Sequence, residues 1–260
     1  MSKFADKLQN TRNNITTSIG FRKSATAEQE TRSALLIADL TKAGEKKTKS
    51  IIKSGIDAAV ISMSGLDVTS FKELTAAIGD IPLGLLTDHN TPDNITEFIE
   101  YGCDFIIFDL KTPLKAINKD GVGKILKIDS TLTPGMTKAI NELSLSIDGV
   151  LIAVESSALT IEHLLIFRLF TDLLDKPVLT TVEPSLTNDE LSSLHKSGIK
   201  GLMLTQGTSA KTFTDLKKQI EALPKIKATK PGHNAVLPRI TDNQKSMAEV
   251  EEEEEEDEDY

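Results

Sequence analysis

The sequence has little that would support thiol or stacking chemistry: it contains a single cysteine, no tryptophan and two tyrosines. One thiol cannot form an internal disulfide or a thiolate metal cluster, so we expect Cys103 to be a buried, inert side chain. So few large aromatic rings argue against a stacking platform for sugars or single-stranded nucleic acid. The sequence also lacks the glycine-rich motif of a nucleotide P-loop and the Gly-x-Ser-x-Gly motif of a serine nucleophile.

Long apolar runs are absent as well. No segment approaches the roughly 20 apolar residues that cross a bilayer, and the first 25 residues have no signal-peptide core. We therefore expect a cytoplasmic protein without membrane contact.

The net charge of −9 comes from one end of the chain. Residues 249–260 hold ten acidic side chains, so the rest of the chain carries +1, and residues 225–248 carry +4 of that remainder. Residues 1–224 therefore carry a net charge near −3. Such a charge gives no sign of a concentrated basic face, which argues against a nucleic-acid partner. Residues 225–260 cannot bury enough apolar surface to fold, and we predict a disordered basic linker and an acidic tail. The tail is expected to bind a basic protein partner or only to keep the chain soluble.

The main positive signal is a repeat of eight short apolar runs, each followed by a segment with helical periodicity. The runs begin at residues 34, 58, 82, 105, 123, 149, 177 and 201. Near-continuous apolar runs are typical of strands buried on both faces, and a helix between each pair indicates parallel crossovers. The pattern predicts an α/β fold, one closed (βα)8 barrel over residues 34–224.

Two departures from the repeat carry further expectations. Residues 1–33 contain a helical stripe that includes Phe4 and Leu8, which predicts an N-terminal helical extension covering the amino end of the barrel or a neighbouring subunit. The fourth and fifth runs start only 18 residues apart, so the fourth crossover helix must be short or missing. The ring of helices around the barrel is then thin at this point. Either a second subunit of a homo-oligomer or the N-terminal helix could cover it.

Carboxylates recur at the ends of the predicted strands. The first, fourth, fifth, sixth and seventh strands end at or before Asp39, Asp109, Asp129, Glu155 and Glu183. Because side chains alternate along a strand, Asp109, Asp129 and Glu155 converge if their faces point inward. Such a trio suits a divalent cation such as Mg²⁺, or acid and base catalysis. The alternative is that these acids cap helices, pair with lysines or face solvent.

Two lysines and one histidine stand in the same region. Lys127 lies within the fifth strand and Lys111 just beyond the fourth. A lysine facing a barrel interior is a candidate for imine formation or proton transfer, whereas one on the outer face or in a loop would be solvated. His89, after the third strand, is a candidate ligand-binding residue, with an inert loop histidine as the alternative.

The eighth unit carries a family resemblance. Residues 197–209 read Ser-Gly-Ile-Lys-Gly-Leu-Met-Leu-Thr-Gln-Gly-Thr-Ser, a strand followed by glycine and hydroxyl residues that open a helix. This resembles the phosphate-binding end of TIM barrels, where backbone N–H groups at a helix N-terminus hold the phosphate. The resemblance implies that Gly207, Thr208 and Ser209 bind an anionic group. The loop after the seventh strand departs from the pattern because it has no glycine.

These features together favour a small-molecule enzyme. We expect a lyase, an aldolase or an isomerase that acts on a carbonyl-containing anionic metabolite, with Lys127, Lys111, Asp109 and Glu155 as catalytic candidates. The alternative is a non-catalytic barrel that uses its N-terminal helix and acidic tail to bind partners.

Overall fold

The structure is a computed structural model that describes residues 2–12, 33–87, 95–154 and 158–224. The predicted disordered tail, residues 225–260, lies outside these ranges. No helix in the described part of the chain is long and apolar enough to cross a membrane.

Eight parallel strands form a closed barrel in chain order, with β1 paired to both β2 and β8. The strands are β1 (Leu35–Asp39), β2 (Ala58–Ser62), β3 (Leu83–Leu86), β4 (Phe105–Asp109), β5 (Gly123–Asp129), β6 (Gly149–Ala153), β7 (Val178–Val182) and β8 (Gly201–Leu204). Each strand begins within one residue of its predicted start. The predicted closed barrel is confirmed.

Helices precede the first strand and follow every strand. They are α1 (Lys3–Arg12), α2 (Glu45–Lys53), α3 (Val68–Ile78), α4 (Ile95–Glu100), α5 (Leu114–Ile117), α6 (Pro134–Ala139), α7 (Ile161–Leu173), α8 (Asn188–Lys196) and α9 (Ala210–Glu221). The fourth crossover contains α5, which has four residues, so the predicted shortened helix is confirmed. Its short buried face consists of Ala116 and Ile117.

The barrel has two apolar layers because successive strand residues point to opposite sides. Outward-facing residues such as Ile106, Leu126 and Ile152 pack under the helices. Inward-facing residues form a separate cluster inside the barrel, which comprises Phe4, Leu8, Leu35, Ile37, Ala58, Val60, Phe105, Ile107, Ile125, Leu151, Leu179 and Met203. The carboxyl ends of the same inward faces carry the polar residues described below.

Helix α1 closes the amino end of the barrel, which agrees with the predicted N-terminal helix over residues 3–12. Residues 13–32 of the predicted extension lie outside the described ranges. Phe4 stacks on Phe105 with 4.1 Å between ring centroids. Asp104 holds the start of α1: its carboxylate accepts the Ser2 hydroxyl at 2.8 Å and the Phe4 backbone N–H at 2.9 Å. These bonds satisfy N-terminal donors that a helix cannot satisfy itself.

Inward-facing glycines make room for this helix. A Cβ at Gly84 would collide with the Phe105 ring, and one at Gly123 would lie 2.6 Å from the Ser2 hydroxyl oxygen. The absence of side chains at these positions leaves the amino end of the barrel open to Phe4 and Leu8. The opposite, carboxyl end is not closed by α1.

Candidate active site at the carboxyl end of the barrel

Polar side chains of several strands share the inner face at the carboxyl end. Their positions follow from strand alternation, since each lies two residues beyond an apolar residue of the inner cluster. They are Asp39 of β1, Ser62 of β2, Asp109 of β4, Lys127 of β5 and Thr181 of β7. We call this set the barrel mouth. In this architecture the carboxyl end is where active sites lie.

Lys127 faces inward at the mouth. It follows Ile125, a member of the inner cluster, on the same face of β5, and its side chain is half-buried. It is paired in register with Asp109 of β4 and Leu151 of β6. Neighbouring strands lie about 4.8 Å apart, so an amine and a carboxylate leave adjacent strands side by side. Among the residues that the structure describes, the Lys127 side chain has no hydrogen bond or ion pair.

The carboxylate of Asp109 is oriented by the loop that follows β4. It accepts the Lys111 backbone N–H at 2.9 Å and the Thr112 hydroxyl at 3.0 Å. The Lys111 side chain itself is exposed beyond the strand end. The structure therefore brings Asp109 and Lys127 to one place and leaves the Lys111 side chain at the surface.

Asp39 has a comparable role in the loop after β1. Its carboxylate accepts both the backbone N–H and the hydroxyl of Thr41, at 2.9 and 2.5 Å. The Thr41 hydroxyl in turn accepts the Ser62 N–H at 2.9 Å, which ties the ends of β1 and β2 together. Sequence reasoning missed Thr41 and Thr112, although a hydroxyl two or three residues after an aspartate is a signal for such a turn.

The structure describes two of the three residues of the predicted metal site, Asp109 and Asp129. Asp129 is exposed at the end of β5, two residues beyond Lys127. Glu155, the third predicted ligand, and His89 lie outside the described residues. Within the described ranges, no group of three His, Cys, Asp or Glu side chains is arranged to hold a metal ion. A site formed by Asp109, Asp129 and Glu155 stays a prediction.

The loop between β8 and α9 uses its hydroxyls internally. Thr208 is buried and donates to the Thr205 carbonyl at 2.7 Å, and Ser209 caps α9 by accepting the Thr212 N–H at 3.2 Å. Gly207 is exposed with φ of +88°, a conformation that favours glycine. Its carbonyl accepts the Lys47 ammonium of α2 at 2.8 Å. What the loop presents to an anion is therefore backbone together with a nearby cation that the sequence did not reveal.

A cleft of about 220 Å³ lies between the ends of β6 and β7 and the helices α7 and α8. Glu183 lines it, half-buried, together with Thr181 of the barrel mouth and His163 of α7. The Thr181 hydroxyl accepts the Val154 N–H at 3.1 Å, which joins the two strands at the edge of the cleft. Glu183, predicted to bind ligand, thus lies beside the barrel mouth, on the wall of this cleft.

Comparison with known proteins bears on the fold. The chain is similar to a mutant tryptophan synthase alpha-subunit from Pyrococcus furiosus, with a TM-score of 0.56 and 13% identity, over 74% of this chain and 98% of that one. It is also similar to tryptophan synthase from M. tuberculosis in an open form, with a TM-score of 0.53 and 15% identity, over 74% of this chain and 93% of that one. The chain has a TIM-barrel fold. No protein-family model and no curated protein matches the sequence.

Proposed function

We propose that this TIM barrel is a small-molecule enzyme, a lyase, aldolase or isomerase that acts on an anionic carbonyl compound at the barrel mouth. The observation that supports this most strongly is Lys127, an inward-facing amine in register with Asp109. A half-buried lysine that faces the inside of a barrel at its carboxyl end is placed where its amine can reach a bound carbonyl compound.

The proposed chemistry starts with attack of the neutral Lys127 amine on the substrate carbonyl. Water leaves and an imine forms, and the protonated imine then accepts electrons from an adjacent bond. Cleavage of a C–C bond gives a lyase or aldolase reaction, whereas loss and return of a C–H proton gives an isomerisation. Water finally hydrolyses the imine and regenerates the amine. Asp109, held in place by its own loop, is the proposed proton carrier, with Glu155 as the second candidate.

The substrate's anionic group is assigned to the loop between β8 and α9. The loop that contains Gly207 leads into α9, which begins at Ala210 after the N-cap Ser209, and a helix N-terminus favours negative charge. Lys47 adds a cation at the same loop through its bond to the Gly207 carbonyl. Glu183 and the cleft beside the mouth, with His89 after β3, are the proposed contacts for the rest of the substrate.

The solved structures compared above are consistent with an enzyme. They include tryptophan synthase alpha-subunits and tryptophan synthase itself. At 13–15% identity their substrate is not transferred to this chain. The alternative role of the strand-end acids is to hold a divalent cation such as Mg²⁺ through Asp109, Asp129 and Glu155 instead of carrying protons, and carboxylate oxygens are ligands that suit that ion.

The second candidate is a non-catalytic binding protein. It is favoured by the engagement of Asp39, Asp109, Thr208 and Ser209 in bonds that shape their own loops. In that case the polar residues of the barrel mouth would only stabilise the loops that follow their strands, and Lys127 would be a solvated cation.

Ligand-dependent thermal stability separates the two. Mg²⁺, Mn²⁺ and a panel of phosphorylated and carboxylated carbonyl metabolites are screened against the full chain. A ligand at 100 times its Kd stabilises by about 2.7 kcal/mol, a readable shift in melting temperature. We expect at least one stabiliser whose effect is lost in Lys127→Met and kept in Lys111→Met, the exposed control. Stabilisation by a metal is expected to disappear in Asp129→Asn. The absence of any stabiliser would favour the non-catalytic function.

A further inference from the structure

A second cleft, of about 190 Å³, lies between α2 and α3 on the outer side of the barrel. We call it the α2–α3 cleft. It is lined by Ile61, which is on the outward face of β2, whereas Ser62 of the barrel mouth is on the inward face. The two sites therefore lie on opposite sides of the sheet. The apolar wall of the α2–α3 cleft consists of Leu40, Ala43, Ile61, Leu66, Leu74 and Ala77.

Thr48 of α2 is the buried polar residue of this cleft. It lines the cleft and is only 3% exposed. In other helices the Thr75, Thr137 and Thr214 hydroxyls donate to the carbonyl four residues earlier. The Thr48 hydroxyl has no hydrogen bond to any residue that the structure describes. Because an unpaired buried hydroxyl is unfavourable, Thr48 indicates that a ligand completes this site.

The other polar groups of the lining are either engaged or exposed. The hydroxyls of Thr41 and Ser70 each donate to the carboxylate of a nearby aspartate. The charged side chains, Glu45, Lys49 and Glu73, are exposed and therefore solvated. They comprise two carboxylates and one ammonium, an excess of negative charge that disfavours an anionic ligand. The inside of the cleft thus offers one free hydroxyl and apolar carbon.

The size of the cleft suits a single ring. Thr48 and Ala77 line it from α2 and α3, and neither side chain is long enough to fill the space between the helices. An apolar cavity of about 150 Å³ holds a benzene molecule. The α2–α3 cleft, at about 190 Å³, therefore accommodates one ring with a short substituent.

We propose that the α2–α3 cleft binds a small uncharged molecule that has an apolar body and one hydroxyl group. The hydroxyl exchanges a hydrogen bond with Thr48, which supplies the partner that this side chain lacks. The apolar body packs on Ile61, Leu66 and Leu74, which are only partly buried against the core, and removes their remaining surface from water. This site goes beyond the proposed function, because its ligand is uncharged and does not contact Lys127.

Methyl NMR on the full chain tests the site, with benzyl alcohol as the probe. We expect the Ile61 methyl signals to shift and to saturate with a dissociation constant on the order of 1 mM, since the probe is small. Thr48→Val keeps the shape of the side chain but removes the hydroxyl, and should weaken binding about fivefold, the effect of one net hydrogen bond. Thr75→Val is the matched control. It removes a hydroxyl that is bonded to the Phe71 carbonyl and lies outside the cleft, and should leave the dissociation constant unchanged.

Two further measurements do not depend on the folding of the Thr48 variant. Benzoate, the same ring with a carboxylate, should bind the wild type at least about tenfold more weakly than benzyl alcohol, because the cleft is lined by more carboxylates than cations. Lys127→Met should bind benzyl alcohol as the wild type does, whatever its effect on the barrel mouth. The proposal is overturned if benzyl alcohol does not shift the Ile61 signals, if Thr48→Val binds it equally well, if benzoate binds as tightly, or if Lys127→Met abolishes binding.

Discussion

Cys103 shows how burial decides the chemistry of a single side chain. Its thiol donates to the Phe105 carbonyl at 3.2 Å, and burial, the main cause, raises the pKa of the thiol to about 12. A thiol with that pKa has almost no thiolate at neutral pH, and the thiolate is the reactive form. The expectation of a buried cysteine is confirmed.

We predict that Cys103 does not react with Ellman's reagent in the folded protein at neutral pH. The same sample in denaturant should release one equivalent of chromophore, since the chain has one cysteine. Rapid reaction of the native protein would contradict the buried position.

His195 at the end of α8 links stability to pH. The side chain is buried, its Nε2 lies 3.1 Å from the Pro224 carbonyl, and burial is the main cause that lowers its pKa below 6.5. The unfolded chain then binds a proton more readily than the folded one as pH falls below about 6.5. The contribution to stability is complete above that pH and is lost as pH falls through the lowered pKa of the folded state.

We therefore expect the free energy of unfolding to fall between pH 7.5 and pH 5, and to fall less in His195→Gln. Urea titrations of both proteins at the two pH values measure this difference. An equal loss of stability in the variant would show that other groups cause the pH dependence.

At the residue scale the sequence predicted part of the site. Strand alternation groups Asp109 with Ile107 and Lys127 with Ile125, because a period of two is visible without a structure, but it does not tell which face of each strand points into the barrel. It did not reveal Lys47 beside Gly207, since the two are 160 residues apart and the contact forms only when the barrel closes. Nor did it show that Thr208 turns its hydroxyl back into its own loop, which depends on local backbone geometry.

At the scale of elements, we expect the removal of α1 to lower the free energy of unfolding more than the removal of any other helix. Phe4 and Leu8 are fully buried inside the barrel, where the inward-facing glycines leave space for them. The helical stripe predicted this helix. Its position at the amino end of the barrel depends on the contacts of Phe4 with Phe105 and of Ser2 with Asp104, which the sequence does not show. The shortened α5 was predictable from strand spacing alone.

Phe4→Ala is expected to lower the free energy of unfolding by about 3 kcal/mol, because a buried phenylalanine leaves a cavity when truncated. Lys3→Ala is the matched control on the same helix. Its 3.5 Å ion pair with Asp80 is solvent-exposed, so the change should stay within about 0.5 kcal/mol. Urea denaturation measures the free energy of unfolding of both variants. Equal effects would contradict the conclusion that α1 packs into the amino end of the barrel through Phe4.

At the scale of the whole molecule, the fold was readable because parallel strands buried on both faces appear as near-continuous apolar runs. Even spacing of eight such runs leaves few alternatives to a closed barrel. The division of the chain at residue 224 and the disorder of residues 225–260 remain predictions from composition. The net charge of the tail, not its contacts, supports them.

Deleting residues 225–260 should leave the melting temperature nearly unchanged, because ten acids in the last twelve residues add no apolar surface to a core. Thermal melting of the full and truncated chains tests this. A loss of many degrees would place the domain boundary elsewhere. Pull-downs with the two chains at low and physiological salt would show whether the tail also captures basic proteins, an interaction that salt should weaken.

Reductive trapping tests the proposed chemistry most directly. The full chain is incubated with pyruvate or dihydroxyacetone phosphate, two anionic carbonyl compounds, and then reduced with sodium borohydride, which converts an imine into a stable secondary amine. Peptide mass spectrometry identifies the modified lysine. The proposal predicts modification of Lys127 that is lost in Lys127→Arg and retained in Lys111→Arg. Even labelling of exposed lysines such as Lys111, with Lys127 unmodified, would contradict the assignment of the barrel mouth as an imine-forming active site.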